Sequence, residues 1–177
     1  MPTHDSNSPY RIATQTPENA TGFMAQAFKR FPPQLGVPEP MLLFSASPGM
    51  VEAQFSVFSY FGTHAHLSPE LLAAIRYLAS RTLSAPACLL FNGKLLGATG
   101  VTDEELTALP QSGGEFTPAE RALLAYVVRL VGEPTTVTDA HIEALRQHGW
   151  TDADIMDASM QAANMQVPAL LLKALKR

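Results

Sequence analysis

Two stretches of this sequence carry the same helix-start and helix-stop signals at the same separation. Ser68-Pro69 recurs as Thr117-Pro118, 49 residues on, and Gly100-Val101-Thr102-Asp103 recurs as Gly149-Trp150-Thr151-Asp152 at that offset, as does Tyr77 at Tyr126. Each unit reads as helix, corner, helix, glycine stop, Thr-Asp cap, short helix. Ser or Thr before Pro is a cap followed by a residue whose missing N–H costs nothing at the first helical position. A glycine followed by Thr-Asp is a left-handed stop followed by a new start. Two such units, each with one apolar face, bury those faces against each other in a helical bundle. No stretch alternates with period two between hairpin signals, so the fold class is all-α.

Along the chain, residues 1–17 lack periodicity and read as a flexible or loosely docked arm, with a single domain from 18 to 177. Phe23, Met24, Ala27, Phe28 and Phe31 fall at helical spacing before Pro32-Pro33. Pro38 and Pro40 open a short helix, and Ser47-Pro48 opens one whose apolar face carries Met50, Val51, Phe55, Val57, Phe58 and Phe61. Leu71, Leu72, Ile75, Leu78 and Ala79 make the stripe of the next helix, which turns at Leu83-Ser84-Ala85-Pro86. The helix after that corner carries Cys88, Leu89, Phe91, Leu95 and Leu96, with Gly97 and Gly100 as its stops. Gln111-Ser112-Gly113-Gly114 reads as a flexible connection, and the last two helices are interrupted near Pro168.

At 46% hydrophobic and 16% charged residues, the chain has more apolar surface than a monomer of its size hides, so burial between subunits is expected. A net charge of −4 without a basic patch argues against nucleic acid and anionic membrane as partners. No apolar run reaches the ~18 residues of a bilayer span, and the N-terminus lacks a signal-peptide pattern. A single cysteine makes no internal disulfide and fits a reducing, cytoplasmic setting.

Residues 47–92, SPGMVEAQFSVFSYFGTHAHLSPELLAAIRYLASRTLSAPACLLFN, together with 116–155, resemble the carboxymuconolactone decarboxylase and alkyl hydroperoxidase D (AhpD-like) superfamily, in its peroxidase-related branch. The resemblance extends over roughly residues 38–177. It implies an AhpD-like helical bundle, a homo-oligomer of two, three or six chains, no cofactor, and a redox centre. In that centre a Cys-x-x-Cys corner is followed four residues later by His, with a Glu about three turns upstream. The family chemistry so implied has one thiolate attack a peroxide, a second thiol resolve the sulfenic acid, and Glu and His relay protons. Here only Cys88 is kept. Ala85 stands at the other cysteine position, Asn92 at the histidine and Ala73 at the glutamate, so the motif is degenerate and an intramolecular disulfide cycle cannot run.

The candidate site residues are therefore Cys88, His64, His66, Glu70 and Asn92. Cys88 reads as a thiolate at a helix start, or as a small buried hydrophobe. His64 and His66, in a loop, read as solvent-facing side chains, as substitutes for the missing His beside Cys88, or with Glu70 as metal ligands; no metal site is assigned. His141 and His148 lie on one helix, the latter at its C-terminal cap. Asp152, Asp154 and Asp157 occupy first turns where negative charge is favourable. The expected function is an antioxidant-type thiol oxidoreductase of small peroxides, with Cys88 as nucleophile and an external thiol resolving it. The alternatives are a non-catalytic oligomer binding a small apolar molecule or a protein, and a decarboxylase-like activity using His64 and His66.

Overall fold

The computed structural model describes residues 8–111 and 116–177. The Gln111–Gly114 connection lies, apart from its first residue, outside the described residues, as do the first seven positions. The elements in order are α1 (Gly22–Phe28), α2 (Glu39–Phe44), α3 (Pro48–Gly62), α4 (Pro69–Thr82), α5 (Pro86–Ala98), α6 (Asp103–Ala108), α7 (Pro118–Gly132), a 3-10 turn at Pro134–Thr136, α8 (Asp139–Gln147), α9 (Asp152–Ala163) and α10 (Gln166–Leu175). Among the described residues the sole extended pairing is an isolated bridge between Tyr10 and Lys176. The class is all-α.

The described residues form two compact units, 8–63 with 170–177, and 64–111 with 116–169. In the first, Met24, Ala27, Phe28, Met41 and Val51 are the buried core. Phe23 and Phe55 pack against it, Phe55 meets both Phe23 and Phe58 edge to face, and the Arg30 guanidinium lies over the Phe55 ring at 4.6 Å. The described part of the segment read as an arm is docked on this unit. The Arg11 N–H donates to the Leu175 carbonyl at 2.8 Å, the Arg177 N–H to Pro9 at 2.9 Å, and the Gln15 N–H to the Ser45 hydroxyl at 2.7 Å. Tyr10 is buried, and burial, with Glu39 nearby, pushes its phenol up to about 12.

The apolar face read on α3 is mostly not interior. Only Val51 and Phe61 are buried, while Met50 is 60% exposed and Val57, Phe58 and Tyr60 are also open to solvent. Proline at the first position starts the helix, and its unit covers only one stripe of it.

In the second unit α4 is the central element, packed on α5, α7 and α9, with α7 also against α8 and α9. Eight of its residues are buried, Leu71 to Ile75 and Leu78 to Ser80, so it is enclosed almost all round. The repeat read in the sequence is present in the backbone. Gly100 and Gly149 both adopt the left-handed region, at φ +98° and +91°. At each, the residue that follows donates its N–H to the fifth residue back, Val101 to Leu96 and Trp150 to Leu145, both at 3.2 Å. Thr102 with Glu105 and Thr151 with Asp154 then close matching capping boxes. Gly97, expected as a stop, lies inside α5; Gly100 alone ends that segment, because the helical ladder there is intact to Ala98. The last interruption falls at Asn164-Met165, just ahead of Pro168, which sits in the first turn of α10, where it removes no helical hydrogen bond.

Candidate functional site

The α4–α5 corner is built by Ser84, a non-glycine residue at φ +51°, after which the Ala85 N–H reaches back to the Ser80 carbonyl at 2.9 Å. Pro86 then starts α5, which sets Cys88 at the third helical position, within the turn whose N–H groups carry the positive end of the dipole. Cys88 is 5% exposed, in a cluster with Ala85 and Ala169, bordered by Leu83 and Met165. Ala73, at the glutamate position, is buried as well. Its side chain is thus buried, with apolar neighbours from the corner and from the end of the unit.

Asn92 lies one turn further along α5 on the same face, also buried. Its amide N–H donates to the Cys88 carbonyl at 2.9 Å, and its oxygen accepts from the Arg76 Nε–H at 3.0 Å. Only this orientation of the amide satisfies both neighbours. The Arg76 Nη1–H in turn reaches the Gln161 Oε1 of α9 at 3.4 Å, with Gln161 itself buried. Arg76 forms no ion pair among the described residues: its two partners are neutral amide oxygens. Burial disfavours the charged form and lowers the guanidinium to about 10, so it remains a cation at neutral pH. Asn92 thus does not relay protons; it couples the Cys88 turn to a cation on the neighbouring helix.

Sequence reasoning missed Arg76 and Gln161. The one signal for the arginine is its place between Ile75 and Leu78, beside the apolar stripe of the helix. Nothing in the sequence marked Gln161.

His64 and His66 form a separate cluster with α9. The His64 Nδ1 accepts the backbone N–H groups of Leu67 at 3.0 Å and His66 at 3.2 Å. That fixes the proton on Nε2, which donates to Asp157 at 3.2 Å. With a side chain 8% exposed, His64 is not the solvent-facing loop histidine of the sequence reading. It is the internal brace of its own loop. His66 is 57% exposed and directs Nδ1 to both oxygens of Asp154, each at 3.0 Å. Asp154 also accepts the Thr151 N–H and hydroxyl, at 2.9 and 2.6 Å. Burial pushes its carboxyl up, but these bonds and His66 outweigh it and leave the group below the usual carboxylate range.

Glu70 is exposed on the first turn of α4 and bonds neither histidine. No group of three or more His, Cys, Asp or Glu residues among those described is placed to hold a metal ion. Asp154 and Asp157, read as favourable first-turn charges, also anchor the histidine loop. Their spacing of three put both on one face of α9, but the sequence did not show which segment lay opposite.

A cavity of about 270 Å³ is lined by His66, Thr117, Ala119, Glu120, His148, Gly149 and Trp150. Thr117 and Glu120 are engaged with each other in a capping box, and the Trp150 indole N–H donates to Ala119. His148 is the C-terminal cap residue of α8, as its place in the sequence implied.

No family model matches the sequence, and no curated protein matches it. Solved structures do. An uncharacterized peroxidase-related protein of Ralstonia eutropha JMP134, described as an alkylhydroperoxidase AhpD core, is 18% identical, with 96% of this chain and 92% of that one covered at a TM-score of 0.77. A peroxidase-related protein of Silicibacter sp. TM1040 is 16% identical, with 96% and 93% covered and a TM-score of 0.74. The debrominase Bmp8 is 19% identical, with 85% and 82% covered and a TM-score of 0.71. Together with the corner, the central helix and the paired caps, these likenesses identify the fold of this chain as the AhpD-like all-α fold.

Proposed function

We propose that the chain is a single-thiol oxidoreductase that reduces small hydroperoxides at Cys88. The observation that supports it is the Asn92 bridge, which joins the Cys88 turn at the start of α5 to a guanidinium with no carboxylate partner among the described residues. Through that bridge the cation is tied to the Cys88 turn, and a guanidinium beside a thiol favours the thiolate. The thiolate attacks the terminal peroxide oxygen, the O–O bond breaks, and the alkoxide leaves to take up a proton. Cys88 becomes the sulfenic acid. One external thiol displaces water from it to give a mixed disulfide, and a second releases the Cys88 thiol and the oxidised external disulfide. Ala85 leaves no internal thiol for that step. Neighbours of the same fold described as peroxidase-related agree with this reading. The debrominase, also solved as a cysteine-to-alanine variant with 2,3,4-tribromopyrrole, extends the class of small molecules such a fold accommodates.

The apolar surround of Cys88 favours a second reading, a non-catalytic oligomer that has kept the frame of the centre. Exposed Met50, Val57 and Phe58 support self-association in either case, and the lone thiol a cytoplasmic setting. Turnover of tert-butyl hydroperoxide with dithiothreitol separates the two. The enzyme reading expects turnover that Cys88→Ser abolishes; no turnover in the wild type, or turnover persisting in that variant, rejects it.

A further inference from the structure

We infer that Arg76 anchors a binding site for the carboxylate of a small organic acid, so that the substrate is carboxylate-bearing. A guanidinium has five N–H donors. Here Nε–H goes to Asn92 and one Nη1–H to Gln161, and no bond from Nη2 is formed among the described residues. No fully enclosed side-chain nitrogen or oxygen lacks a partner among them either, so the unengaged Nη2 keeps some contact with solvent. An arginine that serves only packing is matched by an acid, because a half-buried uncompensated cation is costly. Its two partners instead are amides that fix the plane of the fork without neutralising it. Asn92 and Gln161 are themselves buried, so the plane is set before any ligand arrives.

A planar fork with an open edge and an uncancelled charge is the complement of a carboxylate, which it grips through two parallel N–H···O bonds. A lysine would supply the charge but not that geometry. The anchor is joined to the Cys88 turn through Asn92, so an acid gripped there is held on the side of the corner that carries the thiol's helix.

This inference rests on the thiol chemistry proposed above only for the turnover arm of its test; binding is read where no chemistry occurs. Benzoate and benzamide are titrated against the full chain carrying Cys88→Ser, by calorimetry and by the Arg76 Nε–H resonance in nitrogen-15 NMR. Saturable benzoate binding that shifts the Arg76 resonance is expected, with benzamide at least tenfold weaker. Arg76→Gln should weaken benzoate tenfold or more, and Arg76→Lys should restore it only in part. The resonance shift is read without any Arg76 variant, so a variant that fails to fold leaves the test intact. No saturable binding, equal binding of the amide, or a resonance that does not move overturns the site. So does a dimer that dissociates in Arg76→Gln while benzoate fails to bind, which would give the fork to a second copy. The turnover arm compares a hydroperoxy acid of a few carbons with its methyl ester in the wild type. An acid favoured at least tenfold in kcat/KM, with that preference lost in Arg76→Gln, supports the substrate class, whereas equal rates exclude it. Benzoate binding without turnover of either hydroperoxide would leave the anchor standing and remove the thiol mechanism.

Discussion

Asn92 donates to the carbonyl of Cys88 at 2.9 Å and, through its other end, accepts from Arg76 at 3.0 Å. Asn92, at the position that the resemblance assigns to a histidine, is a structural coupler. It carries no proton between groups, and its removal should therefore be felt in stability before chemistry. Asn92→Ala leaves the Arg76 Nε–H without its acceptor inside the protein, and hydrogen bonds to charged groups contribute about 1.5–3 kcal/mol. A loss of about 2 kcal/mol in urea unfolding is expected; a change within about 0.5 kcal/mol would show that water replaces the amide freely.

The two loop histidines should separate in mutagenesis. His64→Ala strips the acceptor from the N–H groups of Leu67 and His66, one of them at a buried residue, and should cost about 1–3 kcal/mol. His66→Ala removes a mostly exposed ring from Asp154 and should cost less than about 1 kcal/mol. Neither should alter peroxide turnover at a pH where both variants are folded. Equal stability losses would contradict the tautomer assignment, and a selective loss of turnover in His66→Ala would restore an acid–base role to it.

Acid should reach the same cluster through Asp154. Its folded-state carboxyl titrates below the unfolded value, so its contribution is present above about pH 4 and is lost as pH falls through the lowered folded value. Unfolding free energy measured from pH 6 down to pH 2 should fall less steeply in Asp154→Asn than in the wild type. An identical acid limb would mean the capping box and His66 do not stabilise the ionised form.

The repeat predicts matched responses at matched positions. Gly100→Ala and Gly149→Ala each force a side chain into the left-handed region with no neighbour within 4 Å of the added carbon, so the cost is conformational and about 1 kcal/mol for both. Thr102→Ala and Thr151→Ala remove equivalent caps at about 1 kcal/mol, the second somewhat more because its partner Asp154 also holds the histidine loop. Thermal unfolding of the four variants checks this. A large difference between the two glycines would mean that the copies, alike in backbone, differ in what they support.

These elements show how far the sequence could be read. Caps and stops are local: Ser68 and Thr117, Thr102 and Thr151, Gly100 and Gly149 declare themselves through side-chain chemistry or backbone freedom over four or five residues, and the 49-residue spacing within each pair makes the repeat visible. Ala73, Ala85 and Asn92, the residues that the resemblance sets at its redox positions, could be read by count alone. What stayed hidden depends on partners distant in the chain. Arg76 meets Gln161 and His64 meets Asp157 across 85 and 93 residues, and no periodicity reports which face of α9 the loop before α4 will meet. The exposure of α3 was hidden for a related reason. An apolar stripe shows that a helix seeks cover, and Met50, Val57 and Phe58 carry that signal without the unit supplying the surface.

The central claim is that Cys88, in its rebuilt surroundings, is a reactive thiol. Its most direct test is to expose the native protein at pH 7 to one equivalent of tert-butyl hydroperoxide in the presence of dimedone and to measure the mass of the peptide containing residue 88. A single dimedone adduct on Cys88, formed in the folded wild type and slowed in Arg76→Gln, is the predicted result. An unmodified thiol that reacts only after denaturation would show that Cys88 is a buried packing residue and would contradict the account.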